Sequence, residues 1–259
     1  PIEFAGQYAT TREVGKDKRH MSEHIQVESQ LSLTGSNADL RIMARPSDAD
    51  AAIVGLYNAM AKRSGWPVTG NPATSVDTED LASRILENQG QALVVAGTNN
   101  PSLQVLVNAI NQMAGSYGTT IDPSVHDLVH QGDDEAMERL VAAMNAGEVG
   151  ALLIHNLNPL YSCQDPAAFR AGMEKTALTL SFSSVKDETG EACQYLCPVH
   201  HFLESWDDAE PRTGQYSLQQ PTINPLFRTR SMQDSLLTWM DRETTYQDYL
   251  KEEWKNRFF

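Results

Sequence analysis

Cysteine is scarce in this chain, with only Cys163, Cys193 and Cys197 among 259 residues. An odd, irregularly spaced set excludes a disulfide framework and falls one thiolate short of an iron–sulfur cluster. Cations are also in deficit. Lys and Arg number 20 against 34 Asp and Glu, a formal charge of -14, which excludes a phosphate-backbone binder because such proteins neutralise phosphates with Lys and Arg. No nucleic-acid partner is expected, and the acidic surface favours solubility and cationic partners. No apolar run approaches the roughly 20 residues that span a bilayer, so no direct membrane span is expected. G-x-G-x-x-G, G-x-x-x-x-G-K-[ST] and G-x-S-x-G are all missing, so neither a standard phosphate loop nor a nucleophilic triad can be argued. An initiator Met and a secretion signal are missing too, and the polar opening from Pro1 reads as a piece of a longer polypeptide.

What is present is enough length for one substantial core and an ordinary globular share of apolar residues. Residues 1–24 are polar and without period, an expected irregular arm. Ile25 and Val27 alternate as a short strand, followed by a Ser/Thr/Gly/Asn loop at 32–39. Pro46-Ser47-Asp48 reads as a helix start, with Ile53, Leu56, Tyr57 and Met60 at helical spacing up to Gly65. A second helix starts at Thr78. Ala92–Ala96 (ALVVA) is continuously apolar, the pattern of a strand buried on both faces, and a helix follows it. Residues 125–128 suggest a strand or short helix. Then come a helix from Asp133 to Gly147, a strand at Ala151–Ile154, a helix at Pro166–Met173 and a strand at Ala177–Phe182. Three β–loop–α repeats predict right-handed crossovers and a parallel sheet. The expected class is α/β, an open and mainly parallel sheet with helices on both faces. After Tyr195 the chain is loop-rich, with a last helix at Met232–Met240 and a charged aromatic tail over 241–259.

An open α/β sheet places ligands beyond the carboxyl ends of its strands, which directs attention to three loops. Gly97-Thr98-Asn99-Asn100-Pro101 joins a strand to a helix start, where backbone N–H groups and the positive helix end suit a phosphate; a Gly-assisted turn is the plainer reading. His155-Asn156-Leu157-Asn158-Pro159 is the same device one strand along, and N-x-N-P is equally good turn chemistry. Lys186-Asp187-Glu188-Thr189 follows the third strand. Its carboxylates suit ribose or guanine hydrogen bonds, but D-E-T is better explained as a helix N-terminus. Cys193-x3-Cys197-x2-His200-His201 has a permissible zinc spacing. In an extended segment, however, positions four apart lie about 13 Å from one another, which favours packed thiols. Trp206, beside Glu204 and Asp207-Asp208, is the aromatic placed best for an outside contact, although partial burial is the commoner fate of a Trp.

Several of these stretches together resemble one family. Val27-Glu28-Ser29 to Leu33-Thr34-Gly35-Ser36-Asn37-Ala38-Asp39-Leu40-Arg41 resembles V-E-S…L-T-G-x-x-A-D-H-R. The segments ALLIHNLNP, DET, LCPVHHFLESWDD and QPTINPL resemble the same source, the large iron–sulfur subunit of alternative complex III, a quinol-oxidising respiratory complex. More loosely they resemble the molybdopterin oxidoreductase superfamily. The similarity covers 25–240, with Leu40 in place of His and Gln194 in place of a common Asp. The resemblance implies a three-layer molybdopterin-oxidoreductase-like domain over 25–240. It also implies an ancestral pterin-nucleotide crevice at Gly97, Asn99, Asn100, Asn156, Asn158 and Asp187. For alternative complex III it implies a structural domain without its own cofactor, with iron–sulfur clusters elsewhere in the parent chain. Its partners would be haem and iron–sulfur subunits of a membrane complex that oxidises a quinol and passes electrons to a cytochrome or similar carrier. Its place would be peripheral, on the periplasmic side of a bacterial inner membrane. The other superfamily outcome is part of an active molybdenum or tungsten bis-pterin oxidoreductase, whose same loops bind molybdopterin guanine dinucleotide and whose metal ligand lies outside this stretch.

Overall fold

The polar first residues, expected to be irregular, contain a helix, Ile2–Arg12 (α1), in the computed structural model, which describes residues 2–70, 72–129 and 131–258. A polar tether accounts for it better than an apolar face. Arg12, in the last turn, donates two hydrogen bonds of 2.7 and 2.9 Å to the Asp39 carboxylate. Asp39 also accepts the His24 N–H at 2.8 Å. These donors, Arg12 first, hold the Asp39 carboxyl well below the usual carboxylate range. The chain forms two units, Pro1–Pro123 and Ser124–Phe259.

In the first unit, β1 (Ile25–Glu28) pairs in parallel with β2 (Leu40–Met43). Sequence reading missed β2 because its four residues lack clear alternation. The loop between them is buckled by Glu28, which accepts Arg41 Nε at 2.6 Å and the Ser32 hydroxyl at 2.6 Å. Gly35 lies so close to the Glu28 carboxylate that a Cβ there would collide with it. The V-E-S…L-T-G pattern therefore has a packing cause. The core is helical, built from α2 (Ala49–Ser64), α3 (Thr78–Glu87) and α4 (Pro101–Met113). Met60, Ala61, Ala82, Ile110 and Ala114 are fully enclosed, and the small residues of α2 allow close helix approach. Gly65, at φ 73°, closes α2 in the left-handed conformation that glycine adopts without steric cost.

Residues 92–96 depart from expectation. They belong to no strand, and Leu93 and Val95 are 53% and 80% exposed rather than buried. Side chains of the following segment occupy one backbone edge in place of a neighbouring strand. Asn111 donates to Val94 O at 2.8 Å and accepts Val94 N–H at 2.9 Å. Ser116 and Thr120 donate to Ala92 O, and Gln104 to Ala96 O. The apolar run was legible, but its missing ladder was not.

The second unit holds the predicted parallel sheet. It is preceded by α5 (Asp134–Ala146), which ends at Gly147 with φ 76°. Strand β3 (Ala151–His155) leads through α6 (Pro159–Ser162) and α7 (Pro166–Lys175) to β4 (Leu178–Phe182), and α8 (Glu188–Ala192) leads to β5 (Tyr195–Leu196). The order is β3-β4-β5, all parallel. Leu152 and Ile154 face Met144, Phe169 and Met173 of the helices. The opposite face buries Leu180 and Phe182 with Val199 but leaves Leu153 and Tyr195 exposed. The α/β class holds. Among the described residues the chain's strands form three small sheets, of two, three and two strands.

The loop-rich remainder contains an unforeseen hairpin of β6 (Asp207–Arg212) and β7 (Gln215–Gln219). Residues 125–128 form no strand but lie along it, with an isolated bridge of Asp127 to Arg212 and hydrogen bonds from Leu128 N–H to Pro211 O and from Thr213 N–H to His126 O. Helix α9 (Met232–Trp239) follows. The expected charged tail is largely helical as α10 (Tyr246–Phe258), fixed to the acidic edge of β6. Trp254 Nε1 donates to Asp208 at 2.8 Å, and Arg257 lies over Tyr216 and 3.5 Å from Glu210. Burial, and then the charges of Asp207 and Asp208, push the Tyr246 phenol up to about 12. A folded-state pKa above the unfolded value of about 10 means that the neutral phenol's contribution is intact below pH 10 and lost as pH rises towards 12. Absorbance titration of the phenolates should show one tyrosine ionising late, together with loss of α10 helicity, and Tyr246→Phe should remove that step. A Tyr246 that ionises with the exposed tyrosines contradicts this docking.

Candidate functional site

Parallel pairing sends β3 and β4 out of the sheet at the same end, so the loops 155–159 and 186–190 meet there. Asn156, the residue just past β3, adopts φ 50°, a left-handed turn that Asn tolerates better than most residues. Its amide lies 3.2 Å from His155 Nε2. Two residues on, Asn158 opens α6 and turns its side chain across to the other loop. Its amide N–H donates to Glu188 Oε2 at 2.6 Å. Its carbonyl oxygen accepts the Thr189 hydroxyl at 2.7 Å and the Thr189 N–H at 3.3 Å. The Thr189 hydroxyl in turn accepts Leu160 N–H at 3.0 Å. Thr189 is fully buried, so every polar atom of this relay needs its partner. The Asn158 amide also holds the Glu188 carboxyl below its ordinary pKa.

Asp187 caps α8, accepting Gly190 N–H at 2.7 Å, the helix-start role that D-E-T suggested. Gly190 packs tightly there, since an added Cβ would stand 3.2 Å from Asp187 Oδ1 and 3.3 Å from Leu196. The structure thus brings Asn158 and Asp187 together with Glu188 and Thr189. The last two belong to the Lys186–Thr189 loop that the sequence singles out, but their contact with Asn158 comes only from the fold.

In the first unit, Asn100 is the N-cap of α4, accepting Ser102 N–H at 3.0 Å. Gln104 closes the loop by donating to Ala96 O and Thr98 O at 3.0 and 2.6 Å. Asn99 and Gly97 are exposed, and nothing lies within 4 Å of a Cβ placed on Gly97, so the loop does not require glycine there for space. The zinc spacing fails on geometry. Cys193 packs on the helix-covered face of the sheet with Met144 and Phe169, and Cys197 on the other face with Phe182. Burial pushes the Cys193 thiol up, towards its neutral form. Among the described residues no three His, Cys, Asp or Glu side chains form a set able to hold a metal ion.

The donors and acceptors of the β3–β4 end define what it can receive. Asn158, Thr189 and one oxygen of Asp187 are spent on one another and on the backbone. Acceptor capacity remains on Asp187 and on Glu188, which is exposed. Carboxylate oxygens match N–H and O–H groups and repel phosphates. The residues therefore fit the base-and-ribose end of a pterin nucleotide and not its pyrophosphate.

No protein-family profile matches the chain. Over 216 residues, 80% of its length, it is 26% identical to the menaquinone reductase, molybdopterin-binding-like subunit, of Nitratidesulfovibrio vulgaris, and it spans 29% of that protein. Acetylene hydratase from Pelobacter acetylenicus shares the fold, with a TM-score of 0.64 over 85% of this chain and 43% of the hydratase, at 14% identity. These findings support the resemblance to the molybdopterin oxidoreductase superfamily and do not single out alternative complex III. They overturn the expectation of a structural domain without its own cofactor, because the relative is itself named molybdopterin-binding-like.

Asn158→Ala should leave the buried Thr189 groups without their acceptor and cost about 1–3 kcal/mol, read as a lowered denaturation midpoint with faster amide exchange at 187–190. Unchanged exchange there would show that the two loops are held by something else.

Proposed function

We propose that this chain is a molybdopterin-related α/β domain of a subunit in a respiratory electron-transfer complex. The observation that carries the reading is the similarity to the menaquinone reductase subunit, which runs along 80% of the chain rather than through one motif. The shared fold with acetylene hydratase supports the domain type. In this reading the parent protein sits peripherally on the periplasmic side of a bacterial inner membrane with haem and iron–sulfur partners. It exchanges electrons with the quinone pool, in the finer form as the quinol-oxidising subunit of an alternative complex III. Among the described residues no helix is long and apolar enough to cross a membrane, so attachment would come through other subunits or other parts of the parent.

The β3–β4 end supplies recognition. Asp187 and Glu188 would accept N–H and O–H groups of a pterin nucleotide, while Asn158 and Thr189 hold those acceptors in place. A molybdenum–pterin group, when bound, would supply two-electron redox chemistry, and these residues would hold its nucleotide end. The test is affinity purification of the full-length parent from its own membranes. Haem or iron–sulfur subunits at fixed stoichiometry are expected, and a parent that emerges alone would overturn the reading.

A further inference from the structure

The segments LCPVHHFLE and QPTINPLF, far apart in sequence, are clasped into one structure by a buried carboxylate. Glu204, 8% exposed, accepts His201 N–H at 3.0 Å and Leu226 N–H at 2.9 Å. Those two backbone donors, Leu226 first, hold its carboxyl below the usual range. Around it Thr222 and Ile223 N–H donate to Leu203 O, Arg230 N–H donates to Pro198 O, and His200 Nδ1 meets the Thr229 hydroxyl at 2.6 Å. This much internal bonding fixes a surface that water should not favour. Phe202, Leu226 and Phe227 are 61%, 72% and 77% exposed, with Leu203 and Ile223 beside them. Arg228 and Arg230 come next in the chain after Phe227 and are exposed, and among the described residues neither forms an ion pair.

We infer that this crest is the docking surface for an acidic face of a neighbouring protein subunit, with Phe227 as its anchor. The inference rests on the reading of the parent as a subunit of a complex. Exposed aromatics beside Arg are the side chains enriched at protein interfaces. The Glu204 clasp orders the loops before binding, which lowers the entropic cost of association. Charge decides the kind of partner. Two unpaired guanidinium groups on a chain of net charge -14 form a local cationic spot that an acidic protein patch complements. An anionic lipid surface would instead repel the chain as a whole.

The test uses the full-length parent in its own membranes. Phe227→Asp and the pair Arg228→Glu with Arg230→Glu should each cut co-purification of a partner subunit about tenfold or more, with the parent's melting temperature unchanged. A photo-crosslinking residue at 227 in the wild-type background should give an adduct with another subunit, at a peptide containing Asp or Glu next to apolar residues. Adducts with phospholipid, with a second copy of the chain or with the parent itself overturn the inference. So do variants that retain every partner. Failure of the underlying reading looks different, because there the unsubstituted parent purifies without partners.

Discussion

Parallel strands cannot be joined by a tight turn, and this constraint organises the candidate site. Each strand must return by a crossover, so successive strands leave the sheet at the same end and their loops are brought side by side. In β3 and β4 that places His155–Pro159 against Lys186–Gly190. The site then depends on one side chain. Asn158 has a donor at one end of its amide and an acceptor at the other, and it uses both across the gap. An aspartate there could accept from Thr189 but would meet Glu188 with like charge.

The same device recurs through the molecule. Side-chain amides and carboxylates stand in for backbone partners where regular structure stops. Asn111 takes one edge of residues 92–96. Asn58, buried within α2, donates to Gly70 O and accepts Thr69 N–H, fixing the loop beyond that helix. Glu28 buckles the β1–β2 loop, and Glu204 clasps the segments near 201 and 226. Buried polar groups of this kind are costly unless fully paired, so each joint specifies one loop conformation. A stretch that carries the family resemblance, V-E-S…L-T-G, gains a structural explanation in this way.

How much was legible follows from the range of the interactions involved. Helix boundaries set by local chemistry were readable, including the ends of α2 and α5 at Gly65 and Gly147 and the start of α8 at Asp187. Strands β3 and β4 were readable because their apolar runs are flanked by turn residues. The hairpin β6–β7 was not, since its sequence DDAEPR…QYSLQ carries charges and a proline where strands usually carry apolar residues. Its stability comes from pairing and from α10, which no local window contains. The run at 92–96 failed in the opposite sense, because its composition says buried strand while its hydrogen bonds come from side chains on α4 and just after it. In the site, Asn158 and Asp187 were legible as strand-end residues. The loop of Glu188 and Thr189 was legible too, but their partnership with Asn158 joins two loops 30 residues apart and no local window contains it.

Similarity along most of the chain is to a subunit named for menaquinone reductase, and the fold is shared with acetylene hydratase, while the β3–β4 end leaves carboxylate acceptors free on Asp187 and Glu188. The claim beneath all of this is electron transfer linked to a quinone. It is tested most directly by quinone-linked electron transfer in membranes of the source organism, with the parent gene removed and then restored. The account predicts loss of that activity on removal and recovery with the intact gene. Activity that is unchanged without the gene would contradict it.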